Sequence, residues 1–250
     1  MRAARDTTGM LLAGLDFDGT LAHIVPTPAE ATLIEGAAAA LQALSQREDT
    51  VVAIVTGRGV GDARARVGMD TLHYAGNHGL EIEGPHVKWL HPAATTARPF
   101  LDALLARLRE SVGHMPGIIL EDKLVSMSVH FRTITDPDQD EEIVRLVHAD
   151  AAQVGGPIRL TDGKKVVEVR PDVDWDKGRA FMHLRDALAP AGAPAIFIGD
   201  DRTDEDAFRE LREPPDAGII VGTERLAETR ATAVLQDPEA VIRFLTRLAA

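Results

Sequence analysis

The sequence predicts an α/β fold, a doubly wound parallel sheet, interrupted by a smaller α+β segment. Short, continuously apolar runs alternate with helical patterns, as in parallel strands covered on both faces. Several of these runs end in acids or a hydroxyl, at the strand ends where such sheets bind ligands. The middle of the chain instead writes a helix–strand–strand pattern twice.

Residues 10–17 (MLLAGLDF) read as a short buried strand. Residues 29–44 are Ala-rich, with Leu33, Ile34, Ala37, Leu41 and Leu44 at helical spacing. Residues 51–55 (VVAIV) read as a second buried strand that runs into Thr56-Gly57-Arg58. Residues 64–68 close a short helix, and 73–83 read as a strand and a Gly-punctuated turn. In the middle, 95–112 and 138–153 are helices. The first is followed by a hairpin pair, 118–123 and 124–132, and the second by strands at 158–160 and 165–170. The alternating pattern then resumes: helix 177–188, buried strand 195–198 (AIFI), helix 204–211, strand 218–221 and helix 238–248. The implied division is a core of 1–96 and 172–250 and a cap of 97–171.

At 250 residues and 45% hydrophobic, the chain can bury one large core or two modest ones. Its formal net charge of −12 disfavours nucleic acid and anionic membranes as partners. An anionic substrate would need a metal or a few placed cations. The absence of cysteine excludes disulfides, thiolate catalysis and cysteine-ligated zinc. The N-terminus, with Arg2, Arg5 and Asp6, lacks the long apolar stretch of a signal peptide. No run reaches the length of a membrane span, so a cytoplasmic protein is expected.

In Leu15-Asp16-Phe17-Asp18-Gly19-Thr20, alternation puts Asp16 and Asp18 on one side and Phe17 on the other. Two carboxylates so close repel, and a divalent cation relieves that. Oxygen ligands without sulfur or histidine favour magnesium over calcium or zinc. Asp18 as a mere turn cap does not explain the whole string. In Thr56-Gly57-Arg58, a hydroxyl and a backbone N–H at a helix start can hold a phosphate oxygen; an ordinary cap would look the same. Lys177 opens a helix, where a cation is unfavourable unless an anion is near; a solvated lysine is the alternative. Residues 200–206 hold five acids after a buried strand. Thr203, Asp204 and Glu205 suit the next helix's first turn, which leaves Asp200 as the best third metal ligand. No loop ends in Gly-Lys-Ser/Thr, and Gly57, Gly59 and Gly61 miss the dinucleotide spacing.

In this order the four pieces resemble the haloacid dehalogenase (HAD) superfamily, and the resemblance covers nearly the whole chain. It implies a Rossmann-like, HAD-like core and a two-step phosphoryl transfer. Asp16 would attack phosphorus and form an aspartyl-phosphate. Asp18 would protonate the leaving oxygen and then deprotonate water. Mg2+ would be held by Asp16, the Asp18 backbone carbonyl and Asp200, with Asp201 and Asp204 supporting those ligands. Thr56 and Lys177 would hold the equatorial oxygens.

The 125–132 stretch alternates without error. Val125, Met127, Val129 and Phe131 form an apolar face; Ser126, Ser128, His130 and Arg132 form a polar one that suits a polyol. A solvent-facing sheet would look similar. Glu121 and Lys123 share a face on the preceding strand, and Glu168 lies opposite Val167 and Val169. Gly76-Asn77-His78-Gly79-Leu80-Glu81, Glu121-Asp122-Lys123 with His130-Phe131-Arg132, Glu168-Val169-Arg170-Pro171 and GDDRTDEDAF at 199–208 are similar to the trehalose-phosphatases of that superfamily. This resemblance implies trehalose 6-phosphate as substrate. Glu121, Lys123 and Glu168 would meet the sugar hydroxyls, with Gly57, Arg58 and Arg132 among the substrate-binding groups. Asn77 and His78 would line the core side of the cleft; a turn histidine satisfied by backbone is the alternative for His78. Thr56 stands where that family frequently has Ser. No fused synthase domain is expected, so a separate trehalose-phosphate synthase would be the pathway partner. Sucrose phosphate or a glycosyl-glycerate phosphate as substrate, a phosphohexomutase, and a non-catalytic sugar-phosphate sensor stay open.

Overall fold

The computed structural model describes residues 9–212, 214–224 and 227–250. Arg2, Arg5 and Asp6 lie outside them. In chain order the elements begin with β1 (Leu11–Leu15), α1 (Ala37–Ser45), β2 (Thr50–Val55), α2 (Val60–Val67), β3 (His73–Gly76), β4 (Glu81–Gly84) and β5 (Val87–Leu90). Next come α3 (Pro92–Ser111), β6 (Ile119–Asp122), β7 (Met127–His130), α4 (Pro137–Val154), β8 (Ile158–Gly163) and β9 (Val166–Pro171). The chain continues with α5 (Lys177–Leu188), β10 (Ala195–Gly199), α6 (Asp204–Glu210), β11 (Ala217–Val221), β12 (Ala233–Leu235) and α7 (Pro238–Ala249). Leu90–Asp174 forms one compact unit and the rest of the described chain another.

In the larger unit the strand order is β12-β11-β10-β1-β2-β3-β4-β5. Pairing is parallel from β12 to β3, and β4 runs antiparallel to β3. β1 is central and buried at every position. Leu15 lies opposite both Ile54 and Ile198, so the chain segments carrying Asp16, Thr56 and Asp200 leave the sheet side by side. One face packs Leu15, Ile54 and Tyr74 with Leu41 and Leu44 of α1 and Val241 and Leu245 of α7. The other packs Leu12, Val55 and Phe197 with Phe181 of α5 and Phe208 of α6.

The helix expected over 29–44 starts only at Ala37. Pro28 opens a short 3-10 turn, and Gly36, at φ 81°, sets the helix entry in a left-handed conformation. Leu33 bridges Ala22, and the Ile34 N–H donates to the Leu21 carbonyl. The apolar spacing that imitated a helix therefore packs a loop onto the core. The strand and turn expected over 73–83 divide into β3, a 3-10 turn at Asn77–Gly79 and β4.

The smaller unit is an antiparallel sheet, β6-β7-β9-β8. Met127, Val129, Val167 and Val169 form its apolar face, packed with Leu101, Leu104 and Leu108 of α3 and Ile143 and Val147 of α4. It begins earlier than residue 97 because α3 starts at Pro92, where the His91 ring accepts from the Ala93 N–H.

Gly14 of β1 lies against the edge-on pair Phe181 and Phe197, whose ring centroids are 5.2 Å apart. A Cβ at position 14 would stand 2.5 Å from Phe181 and 2.7 Å from Phe197. Gly14→Ala should therefore destabilise the protein by about 1–3 kcal/mol through overpacking, read as a lower urea midpoint. An unchanged midpoint would show that the rings yield without cost.

Candidate active site

Asp16 follows β1 directly, and its backbone N–H donates to the Ile198 carbonyl at 2.9 Å. Its carboxylate is buried. Lys177 Nζ stands 3.0 Å from Asp16 Oδ1 and donates to Asp204 Oδ1 at 2.8 Å. Lys177 is 2% exposed and Asp204 is fully buried. The second oxygen of Asp204 accepts from the Asp201 N–H at 2.9 Å. Glycines allow this density of charge. A Cβ at Gly199 would overlap the Asp204 carboxylate, and one at Gly19, where φ is 76°, would overlap that of Asp200.

Carboxylate oxygens of Asp16, Asp200 and Asp204 lie within 4.8 Å of one another. Burial holds the Asp16 pKa well above the usual carboxylate range; Lys177 opposes this, while Asp204, Asp200 and Asp18 add to it. Asp200 is pushed up to about 7, by burial first and then by Asp204, against the pull of Lys177. Burial works against the charge of Lys177 as well, but Asp16 and Asp204 outweigh it and keep the ammonium protonated. Three acids against one ammonium leave surplus negative charge that a divalent cation would balance. Asp200 Oδ1 is buried with no hydrogen-bond partner among the described residues. This all-oxygen set fits a hard divalent cation. Since both Asp204 oxygens are engaged, Asp16 and Asp200 are the side chains suited to hold it.

The Asp18 carboxylate is not part of that acidic cluster. It accepts from Arg58 Nε and Nη2, each at 2.7 Å. Arg58 also donates to Asp62 at 2.7 Å and to the Pro28 carbonyl at 3.1 Å, and lies over the Phe17 ring. Arg58 was expected at the substrate; the structure directs its guanidinium to these protein acceptors.

Thr56 is buried, and its Oγ1 accepts from the Arg58 N–H at 3.2 Å. A Cβ at Gly57 would stand 2.9 Å from His78 Nε2, so glycine lets the imidazole lie against this segment. His78 belongs to a run of three left-handed residues: Asn77 at φ 52°, His78 at 56° and Gly79 at 89°. For Asn and His that conformation costs on the order of 1–2 kcal/mol each. Hydrogen bonds hold it. Asn77 N–H donates to Arg58 O at 2.7 Å and His78 N–H to Thr56 O at 2.9 Å. Glu81 Oε1 accepts from Asn77 Nδ2 at 2.6 Å and from the Val60 N–H of α2 at 2.8 Å. Trp175 Nε1 donates to Gly79 O at 2.8 Å. Glu81 has no role predicted from the sequence, although its spacing from Asn77 across a Gly turn is a usable signal. Trp175 carried no signal.

In the smaller unit, Glu121, Ser128 and Glu168 lie directly opposite one another across β6, β7 and β9. Lys123 Nζ is 3.7 Å from Glu121 and 3.9 Å from Glu168. His130 Nε2 is 2.8 Å from Glu121 Oε2. Arg132 is exposed in the turn after β7, beyond the last residue of the expected polar strand face that remains in the ladder.

A sequence model of trehalose-phosphatase matches residues 14–238. The chain belongs to the trehalose-phosphatase family. Over 242 residues it is 40% identical to a trehalose-phosphate phosphatase of Mycobacterium marinum, covering 94% of this chain and 60% of that protein. Over 248 residues it is 40% identical to an uncharacterized glycosyl hydrolase of Mycobacterium tuberculosis, covering 94% of this chain and 18% of that protein. It thus spans less than two thirds of the length of either relative. The solved C-terminal domain of Candida albicans trehalose-6-phosphate phosphatase, 24% identical, shares the fold with a TM-score of 0.79, over 99% of this chain and 94% of that one.

For this trehalose-phosphatase family member without metal, Asp200 keeps its proton up to about pH 7 when folded and loses it near pH ~4 when unfolded. The folded state then binds more protons between those values, so stability falls as pH rises through that window. Melting in EDTA should show a lower midpoint at about pH 8 than at about pH 5. Asp200→Asn should flatten the slope; parallel slopes would refute the assignment.

Proposed function

We propose that this chain is a phosphatase that hydrolyses trehalose 6-phosphate, with the phosphoryl group carried transiently on Asp16. One observation carries this: Asp16 ends a buried strand within 3.0 Å of the Lys177 ammonium, in an acidic cluster with Asp200. An attacking oxygen, a cation for the phosphoryl group and a place for a divalent ion thereby meet at one strand end.

Asp16 attacks phosphorus and the bond to the sugar oxygen breaks as that oxygen takes a proton from Asp18. Water then attacks the aspartyl-phosphate, gives its proton to Asp18, and releases phosphate. Thr56 and Lys177 hold phosphoryl oxygens, with Asp204 keeping Lys177 in place. The Asp18 carboxylate accepts from Arg58 Nε and Nη2, so it turns out of that fork to reach the leaving oxygen. Mg2+, held by Asp16, the Asp18 carbonyl and Asp200, would offset the repulsion between carboxylate and phosphate. The larger unit supplies the chemistry; there His78 lies against Gly57, while Asn77, expected at the cleft, is fully buried and donates to Glu81. Leu90–Asp174 supplies sugar recognition through Glu121, Lys123 and Glu168. No described helix is long and apolar enough to cross a membrane.

Phosphate release should be at least about tenfold faster from trehalose 6-phosphate than from sucrose phosphate; equal rates would sink the substrate assignment. Asp16→Asn should lower turnover by roughly 10⁴-fold or more while the protein stays folded, and near-normal hydrolysis would rule out Asp16 as nucleophile. EDTA should abolish activity and Mg2+ restore it. Turnover that persists in EDTA would remove the ion from the mechanism.

A further inference from the structure

We propose that His130 is a positioning residue that fixes the direction of the Glu121 carboxylate, as recognition of a neutral, hydroxyl-rich sugar requires. This rests on the trehalose 6-phosphate reading above.

The strands carrying Glu121 and Glu168 are separated by β7, so their backbones lie about 9.6 Å apart by ordinary strand spacing. Ser128 occupies the middle of that row. It is 1% exposed, and its hydroxyl has no hydrogen-bond partner among the described residues. A side chain this small leaves the space between the acids to Lys123. The Lys123 ammonium stands within 3.9 Å of both carboxylates, on a side chain only 9% exposed, where water screens little. That charge draws both acids inward and would close the gap between them.

His130 competes with Lys123 for the Glu121 carboxylate. It lies two residues beyond Ser128 on the same strand face, diagonal to Glu121, a separation that long side chains bridge. Its Nε2 is 2.8 Å from Glu121 Oε2, whereas Lys123 is 3.7 Å from the same oxygen. Only the shorter contact has hydrogen-bond length, so between these two groups the imidazole sets the direction of the carboxylate. The pair also differs from an ordinary surface contact. His148 and Asp162 meet at 2.8 Å with side chains 46% and 52% exposed; His130 and Glu121 are 17% and 27% exposed. Carboxylates with fixed directions around an ammonium offer acceptors and a donor to neighbouring sugar hydroxyls.

His130→Ala should raise KM for trehalose 6-phosphate about tenfold, the size of one lost positioning hydrogen bond, with a much smaller change in kcat. The loss should be far larger than on a small aryl phosphate. His130→Gln, which keeps a donor at similar reach, should recover most of it. In a Glu121→Ala background, His130→Ala should raise KM no further. Should the single Ala variant fail to fold, His130→Asn, whose shorter amide misses Glu121, takes its place. Equal losses on both esters, no rescue by Gln, or additive losses in the double variant would each overturn the positioning role. An unchanged KM in Glu121→Ala itself would overturn the sugar-site reading, and the role of His130 with it.

Discussion

The ammonium of Lys177, set between Asp16 and Asp204, is the interaction on which the larger unit's acidic strand-end cluster depends. Asp16 ends a strand that is buried throughout, a place that is unfavourable for a lone carboxylate. Lys177 makes it tolerable, and Asp204 in turn fixes Lys177 while accepting from the Asp201 N–H. A buried ion pair contributes little net stability, but losing one partner leaves an uncompensated buried charge. Here it ties the first residue of α5 to the end of β1 and to the first residue of α6. The charge it leaves unbalanced on Asp16 and Asp200 makes this strand end receptive to a divalent ion.

Around that centre, backbone approach matters as much as side-chain identity. Asp200 and Asp204 come close only because positions 19 and 199 have no Cβ. The left-handed run Asn77–His78–Gly79 is a second constraint. Its strain is offset by bonds from Glu81, Trp175 and the Thr56–Arg58 backbone. Glu81 also meets the first turn of α2, so the turn bearing His78 and the helix after Thr56 share one acceptor. Trp175 stacks with Trp89, ring centroids 5.0 Å apart, so the chain leaves and re-enters the larger unit at the same aromatic contact.

The smaller unit works by different physics. Its site comes from antiparallel register: a one-residue slip would turn Glu121, Ser128 and Glu168 to the helix side. The apolar residues that fix the register, Met127, Val129, Val167 and Val169, alternate with the polar ones on the same strands. The polar row and the apolar packing of this unit therefore share the same strands, on opposite faces.

By itself the sequence determined what is local. Apolar runs, helix periods and the acids after Leu15 and Ile198 were legible because a strand or helix is encoded by neighbours within a few residues. Thr56-Gly57-Arg58 and Lys177 were legible as local strings for the same reason, and Glu121-Asp122-Lys123 through its resemblance to a family. The 29–44 segment misled because Leu33 and Ile34 pack as a loop behind Gly36, and burial alone cannot distinguish a packed loop from a helix. Only the tertiary structure decided which charge meets which. It gave Asp18 to Arg58, Lys177 to Asp204 as well as Asp16, and Glu121 to His130. Most of these partners come from distant segments, and hydrogen-bond geometry is set by strand register and close backbone approach, which no local pattern encodes.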